Sequence, residues 1–252
     1  MIFNMMDGAG GGGKATVTYT GTHTTESYTL GGKAYTLYKI TGSGTLNVKG
    51  RVKDAKVWLC GGGANGGTGG YGGAGAYCAQ TFGTIAEGSY AVSVGARQGI
   101  SSVGSLLSVA AVSGRNGGTG GGGVGTGDKL PKIPFGDEAN FEKHCAGGGG
   151  GQRVNHTNMG SPTRSTTGYG GSNGSSGGGS GSGVAGGDKG GGQGGSASAG
   201  PSQEPYASSG YDATFYGSGG GGGGYAYDLW NGTESGAGGK GYQGIVYIIV
   251  PA

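Results

Sequence analysis

The side chains able to do chemistry are few and far apart: His23, His144 and His156, and Cys60, Cys78 and Cys145. His144 stands beside Cys145, but two adjacent donors make a poor metal site, which needs several spaced ligands. Asp137, Glu138 and Glu142 bring carboxylates together, as glycoside hydrolysis requires, but their stretch has the composition of an ordinary solvated loop. GxGxxG strings arise by chance at this glycine content, and no strand–turn–helix context accompanies them. Lys14, Lys33 and Lys240 follow glycine but precede Ala, Ala and Gly, so no P-loop is present. The cysteines are odd in number and lack the C-x-x-C spacing. They read as small hydrophobes or free thiols, with a Cys60–Cys78 bridge left open. The expectation is a non-enzyme with no catalytic residues, no cofactor and no metal.

Aromatic residues are the stronger signal. Phe135, Phe141, Tyr169, Tyr206, Tyr211, Phe215, Tyr216, Tyr225, Tyr227 and Trp230 are the candidate receptor-binding residues. Their rings can stack on sugars, and tyrosine beside serine and glycine makes an adaptable contact surface. All but Tyr169 fall in three interruptions of the glycine-rich sequence, 128–146, 201–216 and 225–234. The alternative is that they cover the flanks of the glycine segments.

The elements that must hold these residues are strands and glycine tracts. Alternating stretches at 15–20, 26–30, 33–40, 44–49 and 55–60 predict half-buried antiparallel strands. Gly31-Gly32 marks a hairpin turn. Leu46 and Val48 share one face, as do Val57 and Leu59. Strands are also expected within 76–113, although 100–113 fits a strand pair or a short helix equally. The apolar run Ile245–Val250 is a terminal strand whose partners lie in 14–94.

Glycine accounts for 73 of 252 residues, against roughly 7% in an average protein. It comes in unbroken runs with only 6 prolines, which rejects collagen. Flexible-linker behaviour is the plain alternative for 147–200. A net charge of +3 without a basic block gives no basis for nucleic-acid binding. No segment is long and apolar enough for a membrane span. No secretion leader is visible, so the chain is expected to be made in a cytoplasm and not exported by the general secretion route.

Side-chain-free segments can nonetheless fold. A polyglycine strand in the polyproline-II conformation has about three residues per turn and a rise of about 3.1 Å. Neighbours can then close to backbone contact, each N–H and C=O finding a partner sideways. Polyglycine helices are expected at 114–127, 147–200 and 217–224.

The order of these pieces carries a resemblance. Val57-Trp-Leu-Cys-Gly-Gly-Gly-Ala64, Gly88-Ser-Tyr-Ala-Val-Ser-Val-Gly95 and Gly236–Val250 resemble the glycine-rich domain of phage tail-fibre and tail-tip proteins. Pro134–Gly151 is similar to a recurring element of such proteins in prophages of Gram-positive bacteria. The resemblance covers roughly 55–252. It implies a virion (phage tail) location after synthesis in the host bacterial cytoplasm, and receptor binding through loops that join polyglycine helices. Implied partners are a bacterial surface glycan or protein, other tail or fibre proteins, and further copies of the chain, with a trimer as one option.

The expected fold class is therefore mainly β with irregular segments and almost no α-helix: an antiparallel, sandwich-like sheet anchoring a polyglycine bundle. The expected division is a flexible or docking tail at 1–13, a strand region at 14–60 and a glycine-rich domain at 61–252. Competing readings are an ice-binding polyproline-II bundle, a disordered matrix protein and a tail-associated hydrolase.

Overall fold

The computed structural model describes residues 15–112, 144–156, 164–167, 190–200 and 203–252. Among them there is no helix, and the regular elements are all strands. One five-stranded sheet runs in the order β1 (Thr16–Tyr19), β4 (Gly44–Lys49), β7 (Gly88–Ser93), β8 (Ser102–Val103), β9 (Leu107–Ser108). The other runs β2 (His23–Leu30), β3 (Lys33–Ile40), β16 (Ile245–Pro251), β5 (Val52–Cys60), β6 (Cys78–Ile85). Strands from 14–60 thus pair with strands from both ends of 61–252. β2 and β3 meet at Gly31 and Gly32 with φ of 58° and 76°, the left-handed pair a tight hairpin needs.

The two sheets share one core. Leu46, Val48, Val92 and Val103 of the first meet Ile40, Val57, Leu59, Val246, Ile248 and Val250 of the second. The central strand β16 is buried on both faces, because Ile245, Tyr247 and Ile249 pack on the opposite side with Trp58, Cys60 and Cys145. β5 departs in the same way from the half-buried strand expected of it. Val57 and Leu59 face the shared core, while Trp58 and Cys60 are equally buried on the other side. What covers that second face is the base of the glycine segments.

Those segments run side by side, joined by backbone hydrogen bonds with a repeat of three residues. In Gly219–Gly224, Gly219 and Gly222 donate to Ala146 and Gly149, Gly220 and Gly223 to Ala64 and Gly67, and Gly221 and Gly224 to Tyr211 and Ser208. The same stretch accepts from Gly192 and Gly195, from Gly73, and from Gly239 and Gly236. The surrounding segments are linked to one another in turn. Ala64 donates to Ala74, Gly148 to Gly73, Gly149 to Gly192, Tyr211 to Gln193, Gly210 to Ala237 and Gly66 to Gly239. Following those bonds gives a closed ring around Gly219–Gly224. A Cβ on any of those six glycines would drive into backbone atoms of a neighbouring segment, which is why the stretch carries no side chain.

The expected helix at 114–127 lies outside the described residues. The stretch 147–200 is not one tract. Its described parts are two glycine segments, each running into a strand, β10 (Gln152–His156) and β12 (Ala197–Gly200), and a further strand at Arg164–Thr167.

Candidate functional site: the hairpin tip

The glycine segments at 147–151, 191–196 and 219–224 run into strands at the end away from the sandwich. β10 pairs with β11 (Arg164–Thr167). β12 pairs with β13 (Gln203–Ala207). β14 (Tyr225–Asp228) pairs with β15 (Gly232–Ser235). β10 and β14 lie side by side in parallel, and the β12–β13 hairpin packs against them. Val154, Ala197 and Ala226 form a small core between the hairpins. Small residues suffice because the glycine segments have already brought the backbones together.

A buried polar pair fixes the outer turn. His156 and Asp228 are register partners, 2% and 0% exposed. The His156 Nδ1–H donates to Asp228 Oδ2 at 2.9 Å, since an ionised carboxylate only accepts. Asp228 Oδ1 accepts from the backbone N–H of Trp230 at 3.0 Å and Asn231 at 2.9 Å, an Asx-type turn that Gly232 closes with φ of 89°. The Leu229 N–H donates to the His156 carbonyl at 3.1 Å. Burial pushes the Asp228 carboxyl up, but the amides of Asn231 and Trp230 together with His156 outweigh it and hold the group below its ordinary value.

This turn presents apolar groups to solvent. Leu229 is 48% and Trp230 51% exposed, with the Trp230 ring 5.4 Å from that of His156. Tyr206, on β13, is 57% exposed. On the flank of the same sheet the Arg153 guanidinium sits 5.1 Å from the Tyr225 ring, and Tyr225 and Tyr227 are half-buried. The His156 imidazole is enclosed, so the groups this turn offers to solvent are the apolar side chains of Leu229 and Trp230.

The candidate residues divide among three places. Tyr206, Tyr225, Tyr227 and Trp230 gather at the tip. Tyr211 is exposed on an outer glycine segment. Phe215 and Tyr216 sit at the sandwich end, with ring centroids 5.6 and 5.8 Å from that of buried His144. His144 Nε2 also meets the Tyr247 hydroxyl at 3.1 Å. Burial, and then nearby Tyr242, raise the Tyr216 hydroxyl above its ordinary value. Phe135, Phe141 and Tyr169 lie outside the described residues.

Sequence reasoning missed Asp228 and Leu229, and met His156 only as one of three scattered histidines. Asp228-Leu-Trp-Asn-Gly232 is a legible turn signal, but the histidine that meets it comes from another hairpin. Among the described residues no group of three or more His, Cys, Asp or Glu is arranged to hold a metal ion, and no helix is long and apolar enough to cross a membrane. No family model, no curated protein and no solved structure matches the chain.

Proposed function

We propose that this chain is a non-enzymatic virion protein of a bacterial virus, a tail-fibre or tail-tip adhesin. It binds the host cell surface through the hairpin tip. The glycine segments act as a stiff bundle of polyproline-II-type helices that spaces the tip from the sandwich. The three-residue repeat of the hydrogen bonds around Gly219–Gly224 supports this helix type, which turns once in about three residues.

The observation that carries the binding reading is the exposure of Trp230 and Leu229 on a turn locked from beneath by His156 and Asp228, with Tyr206 exposed on β13 of the same tip. A preorganised aromatic face loses little entropy on binding. Its flat rings suit a saccharide or a protein loop of the bacterial surface. The sandwich end, where β16 pairs with β3, is the side left for attachment to other tail proteins or to further copies of this chain.

The test is binding of the fluorescently labelled full chain to a panel of bacterial cells, before and after removal of surface glycans. Saturable binding to one host, lowered about tenfold or more by the double variant Trp230→Ala, Tyr206→Ala with unchanged melting temperature, is the expected result. Undiminished binding by that variant would remove the tip from the reading.

A further inference from the structure

The three cysteines are brought to one place by three different parts of the fold. Cys60 ends β5 and Cys78 begins β6, and the two are direct cross-strand partners. Gly61 donates to Tyr77, so the Cys60–Cys78 pair is of the non-hydrogen-bonded kind, in which side chains approach most closely. Cys145 arrives from the start of a glycine segment in a left-handed conformation, φ 56°, that a non-glycine residue rarely adopts. Its backbone N–H is held by the Tyr216 carbonyl at 3.0 Å. Gly217 makes room: a Cβ there would lie 2.8 Å from Cys145 Sγ and 2.9 Å from Cys60 Sγ. The Cys145 thiol contacts both Cys60 and Cys78, and those contacts together with burial push it well up. None of the three is in a disulfide; Cys60 and Cys145 are buried and Cys78 is partly open to solvent.

We propose that this cluster is an oxidative modification site in which a small-molecule disulfide joins Cys78 to Cys145. Cys78 is the sulfur an incoming oxidant meets first. Its thiolate attacks one sulfur of R–S–S–R, forming a mixed disulfide and expelling a thiolate that takes up a proton. Cys145, deprotonated as it attacks, displaces the second small thiol from the Cys78 sulfur. Two protein thiols are oxidised and one small disulfide becomes two thiols. Cys145 is assigned as the partner on its thiol contact with Cys78 in their shared cluster, and Cys60, directly across the ladder from Cys78, is the competitor that the experiment must exclude. The bond would tie the segment that starts at Ala146 to the sheet edge, stapling the ring of glycine segments to the sandwich. A metal cage is the weaker reading, since the described residues include no group arranged to hold one.

The experiment treats the folded full chain with oxidised glutathione, then counts free thiols and maps disulfides by mass spectrometry. Free thiols should fall from three to one, with a Cys78–Cys145 cross-linked peptide and a raised melting temperature. Cys145→Ser should instead leave Cys78 as a glutathione adduct. Cys78→Ser should slow thiol loss about tenfold or more, because the two remaining thiols are buried. A Cys60–Cys78 peptide in the unaltered protein, adducts that never resolve to a cross-link, or three thiols that persist until the chain is unfolded would each overturn the proposal.

Discussion

In the sandwich, Ile245–Val250 buries side chains on both faces of β16. In the glycine segments, Gly219–Gly224 is just as buried and has no side chains at all. The first region is held by apolar surface removed from water, about 25 cal/mol per Å². The second is held by amide–carbonyl bonds worth about 1 kcal/mol each. These must offset an ordering cost of about 1–2 kcal/mol per residue. A polyglycine block therefore cannot stand alone, and the contact of Trp58, Tyr247 and Cys145 at its base ties it to a core that can. The two regions should also differ in what they tolerate. A hydrophobic core accepts a different side chain of similar volume, whereas backbones in direct contact accept none.

The largest effect that would break this contrast is at Gly221. Gly221→Val puts a branched Cβ where the Gln193 carbonyl already lies. It should cost about 4 kcal/mol or more and abolish slow amide exchange across 208–224. Near-native urea unfolding would mean that the segments are not packed backbone to backbone. Next comes Ile248→Ala in the shared core, expected to cost about 2–5 kcal/mol, with Ile248→Val at about 1 kcal/mol. Equal losses for both would show that shape, not apolar volume, governs the sandwich.

A smaller and local effect is expected at the tip. The Asp228 carboxyl is held below its ordinary value in the folded state. Its contribution is therefore complete above the unfolded value of about 3.9 and is lost as pH falls through the lower folded value. Amide exchange of Trp230 and Asn231 should accelerate in that acid window, and Asp228→Asn should remove the pH dependence. An unaltered acid profile in that variant would detach the turn from the His156–Asp228 pair. The smallest stability effect belongs to Trp230→Ala and Tyr211→Ala, both within about 0.5 kcal/mol because the rings are exposed. They should separate in cell binding, with Trp230→Ala losing it and Tyr211→Ala keeping it.

Much of the strand region was legible in residue order. The hairpin at Gly31-Gly32, the shared face of Val57 and Leu59, and the need of Ile245–Val250 for partners in 14–94 all follow from period-two alternation and turn chemistry. The double burial of β5 was not, because Trp58 and Cys60 acquire their cover from glycine segments with no apolar pattern of their own. Nor were the strands at 203–207 and 225–228, read as aromatic interruptions: 225–228 pairs with 153–156 far away in the chain, and 203–207 pairs with the neighbouring 197–200, which has no apolar alternation.

Residue order alone required that a glycine-rich chain with alternating flanks be mainly β and non-collagenous, because side-chain period and the spacing of glycine are local properties. Only the tertiary arrangement decided which of the aromatics face solvent, that His156 meets Asp228, and that three scattered cysteines converge. Segments without side chains carry no mark of which neighbour they will touch. Their partners are chosen by where backbones can close to hydrogen-bonding distance, which becomes definite once the whole ring is assembled.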